Sequence, residues 1–284
     1  MELKNLTTFK IGGPARYFFR VKSVEEASEA VGFARQHNLP FFILGGGSNL
    51  LARDEGFPGV VIKNEILGID FAPTKGEISV SVGAGENWDD FVKHCVVRGL
   101  YGLENLSGIP GTVGAAPVQT VGAYGVEVKD VVLSVEAFDS KTRELRVFTN
   151  EECRFGYRDS FFKTPIGKRY VITKVTFLLK EKGTLNTDYK DLKKYFETIK
   201  KTPNLATLRE AVLSIRAGKF PDLRNTGTAG SFFKNPVISQ AQFDELKKRY
   251  PDLPGFALQT TKYQLPTIKI PLAWILDKVV GIKG

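Results

Sequence analysis

The densest group of reactive side chains is Gly227-Thr228-Ala229-Gly230-Ser231-Phe232-Phe233-Lys234-Asn235-Pro236. Ser231 is a hydroxyl between small residues that can donate or accept a proton, and Lys234 and Asn235 can hold an anionic or polar group beside it. Gly and Ala leave room for the backbone to approach a flat ligand. Pro236 ends the segment and biases Asn235 toward an extended conformation. The chemistry this points to is acid catalysis by Ser231. A plain turn has the same composition, so the rest of the chain must decide.

Three further stretches could act with it. Gly45-Gly46-Gly47-Ser48-Asn49 follows the apolar run Phe41-Phe42-Ile43-Leu44. Glycines there let backbone amides turn toward an anion, or simply make a tight turn. Residues 102–125 contain six glycines, two prolines and almost no charge. That suits backbone packed against a large, flat, partly apolar ligand carrying a pyrophosphate, or a glycine-rich buried turn between core strands. Arg158 stands between Tyr157 and Asp159, as an oriented and permanently charged donor or as half of a surface ion pair. The dinucleotide fingerprint G-x-G-x-x-G, the Walker A pattern and His-Glu-x-x-His are all absent from the sequence.

The elements that must position these residues follow from periodicity. Tyr17-Phe18-Phe19 reads as a strand. Ser23 and Glu26 form a capping box for a helix with Val24, Ala27, Ala30, Val31 and Ala34 on one face. Strands follow at residues 41–44 and 59–62. Ile78, Val80 and Val82 alternate as a half-buried strand, and Trp88, Phe91, Val92, Cys95 and Val96 line a helix. Residues 131–138 and 145–148 form a hairpin. Thr149 with Glu152 forms a second capping box, and residues 170–177 form a strand. Residues 180–206 are polar and read as a mobile connection. Thr207 with Glu210 caps a helix bearing Leu208, Ala211, Val212 and Ile215. Further helices begin near Ser239 and span about 271–280.

The bulk properties bound the function. A chain of 284 residues should form two or three lobes. The formal charge of +9 fits an anionic partner as well as it fits a solvated basic surface. Its lysines are scattered without an aromatic-interleaved stripe, which argues against nucleic acid. No apolar run is long enough for a bilayer, and the first residues lack a signal-peptide core, so the cytoplasm is expected. Cys95 and Cys153 show no metal spacing, and no metal is expected. Cys95 falls on the apolar helix face and reads as core filler.

An ordered series of motifs makes the chain similar to a known family. It runs through Asn5-Leu6-Thr7-Thr8-Phe9-Lys10-Ile11-Gly12-Gly13, Leu44-Gly45-Gly46-Gly47-Ser48-Asn49-Leu50-Leu51 and Val82-Gly83-Ala84-Gly85-Glu86-Asn87-Trp88. It continues with residues 102–125, Phe155-Gly156-Tyr157-Arg158-Asp159-Ser160 and Ala229-Gly230-Ser231-Phe232-Phe233-Lys234-Asn235-Pro236. The chain resembles the UDP-N-acetylenolpyruvoylglucosamine reductases (MurB-type), flavoenzymes of peptidoglycan precursor synthesis, over nearly its whole length. The resemblance implies an α+β, FAD-binding fold of the vanillyl-alcohol-oxidase (PCMH) type with a separate α/β substrate-binding lobe. The lobes would span 1–64, 65–205 and 206–284.

It also implies roles. NADPH is the co-substrate that reduces FAD, hydride passes to C3 of an enolpyruvyl group on a UDP-sugar, and Ser231 protonates C2. Arg158 matches the arginine that stabilises the developing negative charge. Tyr189 matches a tyrosine whose loop closes over substrate, and Lys219 and Asn235 match contacts to UDP-sugar or nicotinamide nucleotide. Gly45, Gly46, Gly47, Ser48 and Asn49, with Ile109, Pro110, Gly111, Gly114, Ala115, Gly122, Ala123, Gly125 and Arg158, match the FAD-contacting positions. A monomer is expected. Family chains continue beyond the equivalent of Gly284 with a segment bearing a catalytic glutamate, and no glutamate of this chain takes that role. The alternative is therefore a non-catalytic FAD- or nucleotide-binding homologue. An oxygen-using flavin oxidase fits less well, because His37 and His94 both fall on helices.

Overall fold

The computed structural model of the protein describes residues 1–223, 225–228, 233–258 and 266–282. The first sheet is parallel, with β1 (Ala15–Val21), β2 (Phe41–Leu44) and β3 (Phe57–Asn64) in the order β1-β3-β2. Helix α1 (Val24–Gln36) connects β1 to β2, and its buried residues Ala27, Ala30, Val31 and Ala34 pack on Val21, Val60 and Ile62. Small side chains on α1 let the helix sit close to the branched face of β3. The Ser23 hydroxyl caps α1 by accepting from the Glu26 amide at 3.2 Å. The Glu26 carboxylate takes the Lys22 amide at 2.7 Å, so the expected reciprocal box is shifted by one residue.

The second sheet is antiparallel and five-stranded. Its strands are β4 (Ile69–Thr74), β5 (Glu77–Gly83), β8 (Val132–Asp139), β9 (Leu145–Thr149) and β10 (Tyr170–Lys180), in the order β4-β5-β10-β8-β9. Helix α2 (Trp88–Val97) covers it, placing Trp88, Phe91 and Cys95 against Val80, Phe177 and Leu179. Asn87 caps α2 by accepting from the Asp89 and Asp90 amides. Between α2 and β8 lies a two-residue hairpin, β6 (Gly122–Ala123) with β7 (Val126–Glu127). Cys95 and Cys153 are both buried, and burial pushes each thiol up to about 12, so neither is a ready nucleophile. Thr149 and Glu152 do exchange hydrogen bonds, but they close a turn instead of opening a helix.

The polar stretch at 180–206 is not the plain mobile connection its composition suggests. It holds helix α3 (Lys190–Ile199), whose buried Leu192 and Phe196 pack against Leu208, Ala211 and Val212 of helix α4 (Leu205–Ala217). Low mean hydropathy hides the spacing Leu192, Tyr195, Phe196, Ile199, which marks one helix face. The cap of helix α4 lies three residues before the expected one. Asn204 caps it, in a reciprocal pair with Thr207 at 2.9 and 2.8 Å.

The remaining part pairs β11 (Val237–Ser239), β12 (Phe256–Leu258) and β13 (Thr267–Lys269) antiparallel in the order β11-β13-β12. Helix α5 (Gln240–Arg249) separates β11 from β12. Helix α6 (Leu272–Ile275) runs on into a wider turn at Leu276–Val280. Among the described residues, no helix is long and apolar enough to cross a membrane, and no three His, Cys, Asp or Glu residues could hold a metal ion.

Candidate functional site

Two loops meet between the first and second sheets. Residues 45–49 leave the end of β2, and residues 109–116 run into a short helical turn at Val113–Ala115. A Cβ on Gly46 would lie 2.7 Å from the Gly111 Cα, and one on Gly45 would lie 2.6 Å from Thr112 Oγ1. Gly47 has φ +65°, and a Cβ there would overlap the carbonyl oxygen of Leu6. The loops are then tied by side chains. Ser48 Oγ donates to the Pro110 carbonyl, and Asn49 Nδ2 donates to Gln119 Oε1, both at 2.9 Å. The glycines are therefore spent on chain packed against chain, as a buried turn requires, and both loops also wall a cavity.

That cavity has a volume of about 580 Å³ and is lined by all of residues 45–49 and by Ile109, Pro110, Gly111, Gly114 and Ala115. Ile43, Trp88, Val118, Val121, Tyr170 and Ile172 add apolar wall, and Lys163 and Lys168 add positive charge. The backbone amides of Gly46, Gly47, Ser48 and Asn49 have no acceptor among the described residues. Four successive amide donors on a cavity wall form a nest for an anion, and the apolar wall suits a flat ring system. These residues fit an FAD molecule. Trp88, Lys163, Lys168 and the Tyr170 to Ile172 stretch were not expected at the site, because strand periodicity marks burial but not which cavity a buried face borders.

Gly122, Ala123, Gly125 and Arg158 are not on this cavity wall. Arg158 adopts φ +53° in a tight turn in which Gly156 and Asp159 exchange backbone hydrogen bonds. Its guanidinium donates to the carbonyls of Gly122 at 3.1 Å and Thr120 at 3.5 Å. Thr120 Oγ1 donates back to Asp159 O at 2.7 Å, and Ser160 Oγ donates to Val118 O at 2.6 Å. The segment that ends the cavity wall is thus sewn to the Arg158 turn. Thr120 (φ +46°) and Tyr124 (φ +49°) share the left-handed conformation of Arg158. Strain of this kind in non-glycine residues collects at functional sites.

Beside this turn lies a group of cations. Lys269 Nζ is 5.1 Å and Lys234 Nζ 5.5 Å from the centroid of the Tyr157 ring. Burial, and after it the charge of Arg158, holds the Lys269 ammonium below the ordinary lysine value, against the pull of Glu127. Phe256 lies 5.5 Å from the same ammonium. Lys269 was missed in the sequence because a three-residue strand carries no period to read.

The other sequence-named residues are placed apart from the cavity. Tyr189 is 45% exposed, with its ring edge-on to Tyr124 at 5.2 Å. Lys219 Nζ meets Asp191 Oδ2 at 2.5 Å, and that contact raises its pKa. The Asn235 side-chain oxygen accepts the Leu272 amide at 2.9 Å at the start of α6, leaving the NH₂ group for other partners. Ser231 lies outside the described residues.

Residues 15–147 match the family model of an FAD binding domain. UDP-N-acetylenolpyruvoylglucosamine reductase of Bacteroides fragilis (strain YCH46) is 41% identical over 286 residues, covering 100% of this chain and 82% of that protein. The enzyme of the same name from Amoebophilus asiaticus is 39% identical with the same coverage. The crystal structure of UDP-N-acetylenolpyruvylglucosamine reductase (MurB) from Thermus caldophilus superposes with a TM-score of 0.61 at 27% identity, covering 99% of this chain and 94% of that one. The fold is FAD-binding, as expected from the motifs, and is shared with that reductase. With about four residues in ten identical to a relative along the whole of this chain, and the loops of an FAD binding domain walling its cavity, the chain belongs to the UDP-N-acetylenolpyruvoylglucosamine reductase (MurB) family.

Proposed function

We propose that the protein binds FAD and uses NADPH to reduce the enolpyruvyl group of UDP-N-acetylglucosamine-enolpyruvate, giving UDP-N-acetylmuramate in the cytoplasm. The observation that carries the reading is the row of four amide donors on a cavity with apolar walls. The amides of Gly46, Gly47, Ser48 and Asn49 would hold the pyrophosphate, and Ile109, Gly111, Gly114 and Ala115 would supply apolar wall to the ligand. When bound, FAD supplies the hydride that passes from NADPH to C3 of the enolpyruvyl group.

Arg158 is held by the carbonyls of Thr120 and Gly122, so its charge is already in place when negative charge develops beside the substrate carboxylate. Ser231 gives a proton to C2; a carbanion-like carbon is a strong base, so a well-placed hydroxyl suffices. Lys219, Tyr189 and the NH₂ group of Asn235 hold the UDP-sugar, and Lys234 and Lys269 bring further positive charge to the same anion. A division into lobes at 1–64, 65–205 and 206–284, acting as a monomer, belongs to the same proposal.

The test is direct. Purified protein should be yellow and should oxidise NADPH only when the enolpyruvyl substrate is present. Ser231→Ala should keep its flavin and lose turnover. Bound flavin without turnover in the unaltered chain would favour the non-catalytic homologue instead.

A further inference from the structure

Behind the loop at residues 45–49 lies a second, polar cavity of about 690 Å³, which shares Gly46 with the first. Lys4, Lys10, Lys63, Thr7 and Thr8 line it, and among the described residues no carboxylate does. Lys63 is the one charged residue in the run Val60-Val61-Ile62-Lys63 of β3. It pairs in register with Leu44, the residue before the glycines. Its ammonium donates to the carbonyl oxygen of Gly45. Neighbouring Asn64 points to the other side of the sheet, where it lines the FAD cavity and donates to Ile172 O at 2.9 Å.

A trans peptide sets its carbonyl and its amide hydrogen on opposite sides. A cation that fixes the Gly45 carbonyl on the rear side therefore turns the Gly46 amide toward the front. Glycine would otherwise let this peptide rotate freely. We infer that Lys63 is a positioning residue for the pyrophosphate of the flavin: from behind the glycine loop it sets the orientation of the Gly46 amide and adds positive charge beneath the anion.

Burial depresses the Lys63 pKa, as expected of an ammonium taken partly out of water, while the Glu65 charge opposes the shift and Arg20 adds to it. Glu65 is itself held by Arg20 at 2.7 Å, so it does not draw Lys63 away from the loop. The inference rests on the proposed FAD binding and concerns one part of the ligand only.

The experiment compares FAD with riboflavin, which has the same ring and no phosphate. The 284-residue chain, freed of flavin, is titrated with each while flavin fluorescence is followed. Lys63→Met should raise the Kd for FAD about tenfold, the scale of one hydrogen bond to a charged group, and leave the Kd for riboflavin unchanged. Lys63→Arg, which keeps a charge and a donor, should recover most of the FAD affinity. Lys63→Gln, a donor without charge, should fall between them and serves if the methionine variant does not fold. An equal loss for FAD and riboflavin would show a merely structural lysine and overturn the inference, as would unchanged FAD affinity in Lys63→Met. Failure of the unaltered protein to bind either flavin would remove the proposed function as well.

Discussion

The glycine loops and the helix-end residues of the candidate site are held in opposite ways. Residues 45–49 and 109–116 are shaped by close packing of chain on chain, with the space of a Cβ filled by main chain at Gly46 and Gly47 and by Thr112 and Ala84 at Gly45 and Gly114. Tyr189, Lys219 and Asn235 are placed by single contacts: one ring edge, one ion pair and one accepted amide. The first arrangement resists change most at Gly46 and Gly47, where an added atom collides with main chain that cannot step aside. The second can exchange its partners at little cost, since an exposed ion pair contributes little to stability. A pocket that must grip a resident cofactor suits the first, and a surface that must take up and release nucleotides suits the second.

If that contrast is right, the largest loss comes from Gly47→Ala. A Cβ there meets the Leu6 carbonyl, and φ +65° is unfavourable for alanine. Denaturant unfolding should show a loss of about 2–4 kcal/mol, and the variant should be purified without flavin. Wild-type stability in Gly47→Ala would mean that the loop is not backbone-locked at all.

Next in size is Asp89→Asn. Asp89 accepts from both Arg209 nitrogens at 2.6 and 2.8 Å and from the Gly108 amide at 2.5 Å, next to Ile109 of the cavity wall. Burial raises its pKa, but Arg209 and the Gly108 amide outweigh this and hold the carboxyl below its ordinary value. A depressed carboxyl stabilises the fold above its unfolded value of about 3.9 and loses that contribution as pH falls through the folded value. Asp89→Asn should therefore cost about 2 kcal/mol at neutral pH. The gap from the unaltered protein should close as the solution is acidified below about pH 4, which a pH series of unfolding curves will follow.

The contrast also separates what the sequence carried from what it did not. The glycine loops, the strands of the two flanking sheets other than β4, and the family could be read because glycine content, strand alternation and motif order are local or additive signals. Helix α3 escaped because its face of Leu192, Tyr195, Phe196 and Ile199 is diluted by lysines and acids on the other side. The strands β11, β12 and β13 are three residues each, too short for a period. Lys63 did leave a trace, a charge directly after the apolar buried run Val60-Val61-Ile62. Its partner, a carbonyl 18 residues earlier, exists only once β2 and β3 pair. Lys219 and Asp191 are likewise joined only by the packing of α3 on α4. The glycines of residues 102–125 were compatible with both of their readings, because one loop serves neighbouring chain on one side and a cavity on the other.

A smaller effect is expected from Ser48→Ala. It removes the hydrogen bond to Pro110 O that links the two loops at one edge. The loss should be about 1 kcal/mol in urea unfolding, because the glycine contacts remain. A loss as large as that of Gly47→Ala would shift the weight from backbone packing to side-chain ties.

The smallest stability change, and the sharpest contrast, should come from Lys219→Met. The Lys219 side chain is 47% exposed and its ion pair with Asp191 bridges the ends of α4 and α3. A lysine raised by a partner stabilises below its unfolded value near 10.4 and loses the contribution only as pH rises through the folded value, so at neutral pH the pair is fully formed. Its removal should nonetheless move unfolding by no more than about 0.5 kcal/mol. Calorimetric titration with UDP should show a fall in affinity of about tenfold, the scale of one charge-assisted hydrogen bond to phosphate. A variant that unfolded early but bound UDP normally would reverse the assignment, making the α3–α4 end a structural joint and leaving the nucleotide to the cations around Tyr157.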